Sequence, residues 1–264
     1  MDNFAIRLQT EQIIFKYACG MQEQSENEYH TLHELYFLLG EHIEFITETG
    51  SRTLHPNTMV LIPKRTFHHF VHDNKTDCIR CVFKFDDIKE WGDLINSKFK
   101  SVRVIKNQQL TQIFSHITEF AQSKLPIFEK QILLKAFLAQ ILIAVNEDDG
   151  RFDPLDRESP FSPITRAAIN HIGRNLTETL SLHTISESLN ISPSHLSHTF
   201  KSEMNISLHK FILNKRLTDA KYRIINGMPA TLAAMECGFK DYSNFHIQYK
   251  KKYGCSPSQD QSKS

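Results

Sequence analysis

The sequence predicts two domains: an N-terminal all-β domain followed by two helices, and a C-terminal all-α domain with two helix-turn-helix motifs. Apolar residues alternate with polar ones over residues 30–85, and the spacing becomes helical from about residue 108. A period of two favours strands, and recurrence every three to four residues favours helices. A charged, proline-rich segment without periodicity then interrupts the chain. We place the boundaries at 1–105 for the β domain, 106–146 for the helical segment, 147–163 for the linker and 164–264 for the C-terminal domain.

Several short strands separated by turns predict a small antiparallel barrel or sandwich in the first domain. Residues 4–17 alternate loosely and are predicted as edge strands. Further strands are predicted to end at Gly40, to carry Ile43 and Phe45, and to occupy residues 59–62, 67–71 and 78–85.

Two helices are predicted next, one from Gln108 and one after Pro126. The apolar stripe of the second, over 128–145, is unusually wide. One flank can cover the barrel while the other meets a second chain, or both flanks can pack within one chain. The sequence leaves both arrangements open.

Composition indicates a globular protein of the reducing cytoplasm. No apolar run reaches the roughly 18 residues that a bilayer span needs, and no secretory signal is visible. The five cysteines are few and odd in number, which argues against a disulfide scaffold. From Ile164 onward 13 basic residues face 7 acidic ones, whereas residues 1–163 hold 18 against 23. This asymmetry is expected if only the C-terminal part meets a polyanion.

Cap residues outline the C-terminal helices. Ser192-Pro193 is predicted to start one helix and Asp241 another, because serine and aspartate cap helix N-termini and proline suits the first helical position. Helices are also predicted at 164–174, 182–189, 207–226 and 230–237. The long helix at 207–226 would separate the two motifs by roughly 30 Å. Successive major-groove faces of DNA are about 34 Å apart, so both motifs could lie on one side of a duplex. Basic side chains that could meet phosphates are Lys215, Arg216, Lys221, Arg223 and Lys250-Lys251-Lys252.

These residues resemble the AraC/XylS family of transcription regulators over roughly 165–259. The matching residues are Leu182, Ile185, Leu189, Ile191 to Leu196, Phe200-Lys201, Arg216-Leu217, Ala220, Gly238-Phe239, Asp241, Ser243, Phe245, Tyr249 to Lys251, Gly254 and Ser256-Pro257. The resemblance implies a regulator, here expected to be an activator, that binds double-stranded promoter DNA and recruits or positions RNA polymerase.

By matching positions, the resemblance assigns base reading to Ser194, Ser197, His198, Tyr242, Ser243, Asn244 and Ile247. Phosphate contacts are expected from Lys201, Arg216, Lys250, Lys251 and Lys252. Several positions depart from the family. Ser186 stands where a small alanine is usual, and Ile247 stands where a basic residue is common. Ala230, Leu232 and Ala233 stand where an isoleucine, an acidic residue and an isoleucine are usual, and the usual Tyr-Arg ending is absent at Gln259-Asp260. The alanines predict a second motif that is packed differently or less stably.

The β region also resembles the cupin-like sensor barrel of many such regulators, which implies a small-molecule effector and dimerisation through the following helices. The residues expected at the ligand pocket are His30, Glu34, Tyr36, His68 and His69. A metal set drawn from the same histidines, with His72, is an alternative that we do not favour, because neighbours on a strand face opposite sides. Cys78 and Cys81 form a C-x-x-C that we interpret as structural for the same reason.

We expect no catalytic residues, no metal, no cofactor and no membrane partner. Two other functions remain open. One is a metal-dependent cupin enzyme with a DNA-binding tail. The other is a regulator that uses its barrel only for dimerisation or partner docking.

Overall fold

The computed structural model describes residues 4–10, 12–18, 29–71, 79–147, 157–158 and 160–261. The chain divides into two compact units, one of residues 1–28 and 32–158 and one of residues 29–31 and 159–264. Most of the predicted linker lies outside the described residues, as do Cys19, His72 and Cys78. No helix among the described residues is both long and apolar enough to cross a membrane.

Ten strands are present in the described part of the first unit. They are β1 (Phe4–Gln9), β2 (Ile13–Ala18), β3 (His33–Leu38), β4 (Ile43–Thr47), β5 (Gly50–Leu54), β6 (Thr58–Ile62), β7 (His68–Val71), β8 (Arg80–Phe85), β9 (Arg103–Ile105) and β10 (Arg157–Glu158). They form a six-stranded sheet in the order β1-β2-β8-β3-β6-β9 and a four-stranded sheet in the order β10-β5-β4-β7.

The two sheets are antiparallel throughout and do not close into one hydrogen-bonded barrel within the described residues. The predicted sandwich therefore describes the region better than the predicted barrel. The prediction of two edge strands at 4–17 is wrong for β2, which pairs with β8 as well as with β1. Residues Arg157–Glu158 of the predicted linker form β10 beside β5.

The six-stranded sheet is covered on both faces, which explains why every residue of β3 is buried. Tyr36 and Leu38 point into a cluster shared with the four-stranded sheet. Leu35 and Phe37 point the other way, into a larger core formed with helices α1 (Gly92–Lys98), α2 (Gln108–Gln122) and α3 (Ile127–Glu147). Phe37 stacks on Phe114 of α2 with ring centroids 3.9 Å apart.

Only one flank of α3 packs on this core. Leu134, Leu138, Ile141, Leu142 and Val145 are buried there. The opposite flank keeps large apolar side chains exposed, namely Phe128, Ile132, Leu133 and Ile143. Ile127 is exposed as well, in the first turn of the helix. The sequence left open whether one chain buries both flanks of this helix. In the structure, the single chain buries only one of them.

The described part of the second unit is helical. It contains α4 (Pro163–Arg174), α5 (Leu182–Ser188), α6 (Pro193–Met204), α7 (Leu208–Ile225), α8 (Ala230–Glu236), α9 (Tyr242–Tyr253) and α10 (Pro257–Gln261). All but α10 lie where the sequence predicts helices. We call α5 and α6 the first helix pair and α8 and α9 the second helix pair. The helix α7 contacts α6 on one side and α8, α9 and α10 on the other.

Candidate nucleic-acid interface and candidate ligand site

The helix α6 begins at the predicted cap. The Ser192 hydroxyl accepts a hydrogen bond from the His195 backbone N–H at 3.2 Å, and Pro193 occupies the first turn. The inner face buries Leu196, Phe200 and Met204. The predicted reading residues Ser194, Ser197 and His198, together with Lys201, are all exposed. Their spacing of three, four and seven residues places them on one helix face, so α6 offers a continuous polar surface.

The helix α9 is built the same way. Both carboxylate oxygens of Asp241 accept backbone hydrogen bonds, one from Ser243 at 3.0 Å and one from Asn244 at 2.9 Å. Phe245 and Tyr249 are fully buried and fix the rotation of the helix about its axis. The predicted reading residues Tyr242, Ser243, Asn244 and Ile247 are consequently left exposed.

The helix between the two pairs, α7, has 18 residues and is therefore about 27 Å long at 1.5 Å per residue. Its core-facing residues include Phe211, Leu217 and Ala220. Lys215, predicted to be available for phosphate, is instead buried, with its ammonium nitrogen 5.3 Å from the centre of the Phe211 ring. A buried lysine over an aromatic ring stabilises the domain through a cation–π contact.

The basic residues predicted to meet phosphate divide into two groups. Lys201, Lys250 and Lys251 are exposed. Lys252 is also exposed, but its ammonium donates to the Asn214 carbonyl at 3.2 Å and to the Thr218 hydroxyl at 3.2 Å, both on α7. Burial of this ammonium and the nearby Lys221 lower the pKa of Lys252 to about 8. In this structure Lys252 therefore holds α9 to α7, a role that the sequence prediction did not include.

Arg216 is also engaged within the protein. Its Nε donates to the Leu176 carbonyl at 3.0 Å and its Nη2 to the Glu178 carbonyl at 2.5 Å. The side chains of Lys221 and Arg223 lie beside Asp260 and Glu236 respectively. Of the five predicted phosphate contacts, Arg216 and Lys252 thus have other partners, because α7 and the loop before α5 offer carbonyl oxygens within their reach.

A buried carboxylate that the sequence analysis missed ties the end of the domain together. Asp260 of α10 is 5% exposed. Its Oδ2 accepts a hydrogen bond from the Tyr249 hydroxyl at 2.8 Å and from the Cys255 thiol at 3.3 Å, and lies 3.1 Å from the Lys221 ammonium. One oxygen therefore joins α7, α9 and α10. In the sequence, Asp260 is only an acidic residue shortly after Ser256-Pro257, and that pattern does not predict a buried carboxylate.

The second helix pair is packed around small side chains. Ala230, Ala233 and Ala234 of α8 are buried in one cluster with Leu217 and Phe245. Leu232, by contrast, is exposed. These three alanines line the inner face of α8. Small side chains at a helix contact allow close approach of the two backbones.

In the first unit, the structure brings together three of the five predicted pocket residues. Glu34 and His68 are buried, with 3.4 Å between Glu34 Oε2 and His68 Nε2, and the Lys84 ammonium lies 3.1 Å from the same carboxylate oxygen. Tyr36 stacks on Phe70 in the adjacent cluster, with ring centroids 3.9 Å apart. The space between the two sheets therefore has charged groups at one end and stacked aromatic rings at the other.

Three further histidines, His69, His30 and His33, differ in their surroundings. His69 alternates with His68 along β7 and points to the other face, as predicted. His30 is half-buried and belongs to the short segment 29–31 that is grouped with the second unit. His33 accepts a hydrogen bond at Nδ1 from the Lys64 backbone N–H at 3.3 Å, and its Nε2 lies 3.1 Å from Asp87 Oδ1. Burial lowers the pKa of His33.

Cys81 is the described member of the predicted C-x-x-C. It is fully buried in β8, and burial raises the pKa of its thiol to about 12. Because the thiolate is the reactive and metal-binding form, a thiol with so high a pKa is inert at neutral pH. The structural interpretation of Cys81 fits this environment.

An open cleft adjoins the charged end of the sheet interior. It has a volume of about 620 Å³ and is lined by residues that include Thr47, Lys64, Thr66 and Lys100. The Thr66 carbonyl is also 3.1 Å from Nδ1 of the buried His68. The cleft and the buried Glu34–His68 pair are therefore connected through one residue.

Comparison with known proteins identifies the C-terminal region. Residues 185–263 match the family described as Helix-turn-helix domain. The "Probable transcriptional regulator LumQ" of Photobacterium leiognathi is 33% identical over 93 residues, 35% of this chain and 38% of that protein. The Arabinose operon regulatory protein of Escherichia coli (strain K12) is 28% identical over 129 residues, 48% of this chain and 41% of that protein. This C-terminal region is of the AraC/XylS type.

The AraC-type region starts within α5 and continues through α10, so it includes α6, α7 and the second helix pair. The chain spans about two fifths of the length of the two curated relatives, 38% and 41%. Among solved structures, the C-terminal domain of AraT, a response regulator from Geobacillus stearothermophilus, is 30% identical. That match covers 40% of this chain and 89% of the other, with a TM-score of 0.39.

Proposed function

We propose that the protein is a sequence-specific transcription regulator that binds double-stranded promoter DNA through both helix pairs, each acting as a helix-turn-helix motif. The observation that carries the proposal is the family match over residues 185–263, which includes both exposed polar helix faces. In such motifs the second helix enters the major groove and its N-terminal residues contact base edges. The helices in that position are α6 and α9.

The dimensions of the domain support binding by both helices. An α7 of about 27 Å joins two helices whose targets on one face of a duplex are about 34 Å apart. On α6, Ser194, Ser197 and His198 would read bases, and on α9 Tyr242, Ser243 and Asn244 would do so. Ile247 carries no hydrogen-bonding group, so we propose that it contacts a thymine methyl.

Electrostatic attraction would come mainly from Lys201, Lys250 and Lys251, since Arg216 and Lys252 have partners within the domain. Each phosphate that a protein neutralises adds about −0.9 to the slope of log K against log salt. We therefore propose that the salt dependence of binding is set by a small number of phosphate contacts, and that base contacts carry much of the specificity.

The variants Asn244→Ala and Lys251→Ala should separate base reading from phosphate contact. Asn244 can form a bidentate pair with adenine, so its loss should cost about 1–3 kcal/mol at one base position and relax specificity there. Lys251→Ala should weaken binding to all sequences alike and reduce the salt slope by about one. The measurement is the dissociation constant for DNA selected from a random library and for unrelated DNA, at several salt concentrations.

Gln248→Ala is the matched control, because Gln248 lies on α9 but is only half-exposed and is not among the proposed readers. Equal losses of specific and unrelated binding by Asn244→Ala would remove that residue from the set of readers. If the parent protein enriches no sequence from the library, the proposed function itself is wrong.

We further propose that two copies of the chain associate through α3. The support is the row of exposed apolar side chains on its outer flank, among them Phe128 (67% exposed) and Ile132 (54% exposed). Contiguous exposed apolar surface of this kind marks interaction sites in globular proteins. A dimer would present two DNA-binding domains and could bind paired half-sites. RNA polymerase would then be contacted at the promoter, as the family resemblance implies.

A small-molecule effector is proposed to act through the first unit. The support is the buried Glu34–His68 pair with the half-buried Lys84, beside an aromatic interior and the adjoining cleft. A ligand that binds only the folded state stabilises the protein, by about 2.7 kcal/mol when the ligand concentration is one hundred times the dissociation constant. The melting temperature of the protein rises as a result. Screening fractionated cell extracts by thermal unfolding should therefore reveal a stabilising fraction.

The control in that screen is Glu34→Gln, which removes the buried charge while keeping the shape of the side chain. The active fraction should stabilise this variant less than the parent. Equal stabilisation would place the effector elsewhere, and the absence of any active fraction would leave dimerisation as the role of the unit.

A further inference from the structure

The turn between α8 and α9 touches the loop before α5. Gly238 in that turn has a φ of +82°, a left-handed conformation that favours glycine. A Cβ added to Gly238 would lie 2.9 Å from the backbone carbonyl oxygen of Leu176, which is in the loop between α4 and α5. The loop that leads into the first helix pair therefore meets the turn of the second helix pair at this point.

Arg216 lies in the same place. The added Cβ would also be 2.9 Å from both Cζ and Nη2 of Arg216. The guanidinium donates to the carbonyls of Leu176 and Glu178, at 3.0 Å and 2.5 Å. Arg216 of α7 thus donates hydrogen bonds to the loop before α5. Its planar guanidinium also packs against the turn between α8 and α9.

No shorter or more flexible side chain can do all of this. The planar guanidinium has donors in a fixed fork, whereas a lysine ammonium is a point charge on a mobile stem. Burial lowers the pKa of Arg216, yet an arginine remains protonated in proteins. The two carbonyls are the ends of peptide dipoles that would otherwise need other donors.

We propose that Arg216 is a positioning residue: it fixes the distance and angle between α6 and α9, and so sets the spacing of the two groups of base pairs that the protein accepts. This inference rests on the proposed function for its consequence at DNA. Its structural part, a fixed distance between the two helices, does not depend on DNA.

The distance between the helices can be measured in the full chain without DNA. Spin labels are placed at Ser197→Cys and Ser243→Cys, two exposed positions on α6 and α9. Labelled protein is diluted into unlabelled protein so that distances within one chain dominate, and the labelled parent without these substitutions accounts for the native cysteines. We expect one narrow distance distribution, which Arg216→Lys broadens or shifts. An unchanged distribution overturns the proposal.

Arg223→Lys is the matched control, because Arg223 is on the same helix but lies beside Glu236 on the surface. It should leave the distribution narrow. Arg216→Gln, which keeps a donor but not the fork, should give an intermediate broadening. If Arg216→Lys does not fold, Arg216→Gln replaces it in the experiment. A distance distribution in Arg216→Gln that is as narrow as in the parent counts against the proposal.

The consequence for DNA is tested with sites that the parent selects from random double-stranded DNA. Footprinting locates the two contacted segments, and one or two base pairs are inserted between them. The parent should bind the lengthened sites about tenfold or more weaker, the size of one lost specific contact. For Arg216→Lys the ratio between original and lengthened sites should fall towards one, while Arg223→Lys should keep the parental ratio.

Two outcomes are decisive here. If Arg216→Gln, which removes the charge, weakens original and lengthened sites alike and flattens the salt slope, Arg216 is a phosphate contact and the proposal is wrong. If the parent selects no sites at all, the proposed function fails, and the spin-label distances alone decide whether Arg216 holds the two helices in place.

Discussion

The double variant Phe128→Asp, Ile132→Asp is expected to be monomeric under conditions where the parent is a dimer. Burying each apolar side chain contributes about 1.5–3 kcal/mol, and twofold symmetry counts each substitution twice. Aspartates would replace that gain with the cost of desolvating charges. Since each 1.4 kcal/mol is tenfold, the dimer dissociation constant should rise by at least about a hundredfold. Sedimentation of both proteins, with and without selected DNA, gives the masses.

The control for this experiment is Gln112→Asp on the exposed side of α2. It adds one negative charge, half the charge change of the double variant, to a neighbouring helix and should leave the mass unchanged. Both aspartate positions are exposed in the single chain, so the melting temperature of the unit should change little. A parent protein that sediments as a monomer in every condition would show that α3 is not a dimer interface.

The second large effect is expected from Asp260. Asp260→Ala should lower the free energy of unfolding of the second unit by about 3 kcal/mol, because removing one partner of a buried pair leaves Lys221 and the Tyr249 hydroxyl without their acceptor. Glu236→Gln is the control. It breaks the exposed pair with Arg223, which is worth about 0–1 kcal/mol. Denaturant unfolding of the three proteins measures the difference, and equal midpoints would refute the role given to Asp260.

The same carboxylate should make the unit sensitive to acid. Burial alone would raise the pKa of Asp260, but hydrogen bonds from Tyr249 and Lys221 outweigh it and hold the pKa below its usual value. The unfolded chain therefore binds the proton first as the pH falls. The stabilisation is present above the unfolded pKa of about 3.9 and is lost as the pH falls through the folded pKa. Asp260→Asn should flatten this part of the profile of melting temperature against pH.

Local signals in the sequence were sufficient for the helices of the second unit. Ser192-Pro193 and Asp241 were enough to predict where two helices start, because a capping side chain accepts hydrogen bonds from backbone groups only two or three residues away. The alternation in β8 likewise marks the face that packs into the helix-covered core. Such interactions are local, so their outcome does not depend on what the other parts of the chain do.

The hydrogen-bond partners of long side chains could not be predicted from local sequence signals. Lys252 and Arg216 were expected at phosphates, yet each reaches carbonyl oxygens that are about 40 residues away in sequence. Lys215 is buried for a similar reason. A long flexible side chain can reach several partners, and only the packing of α7 against its neighbours decides among them. The pairing of β2 with β8 was missed because sheet order is also a non-local property.

The alanines of α8 bear on any attempt to engineer this protein. Replacing unusual residues by those common in a family stabilises many proteins. Here the family-typical residues at positions 230 and 233 are isoleucines, while Ala233 is fully buried against the cluster that contains Leu217 and Phe245. Each added isoleucine would have to force α8 away from α7, at a cost of about 1–3 kcal/mol. Consensus design should therefore leave this helix unchanged and be applied to the protein surface instead.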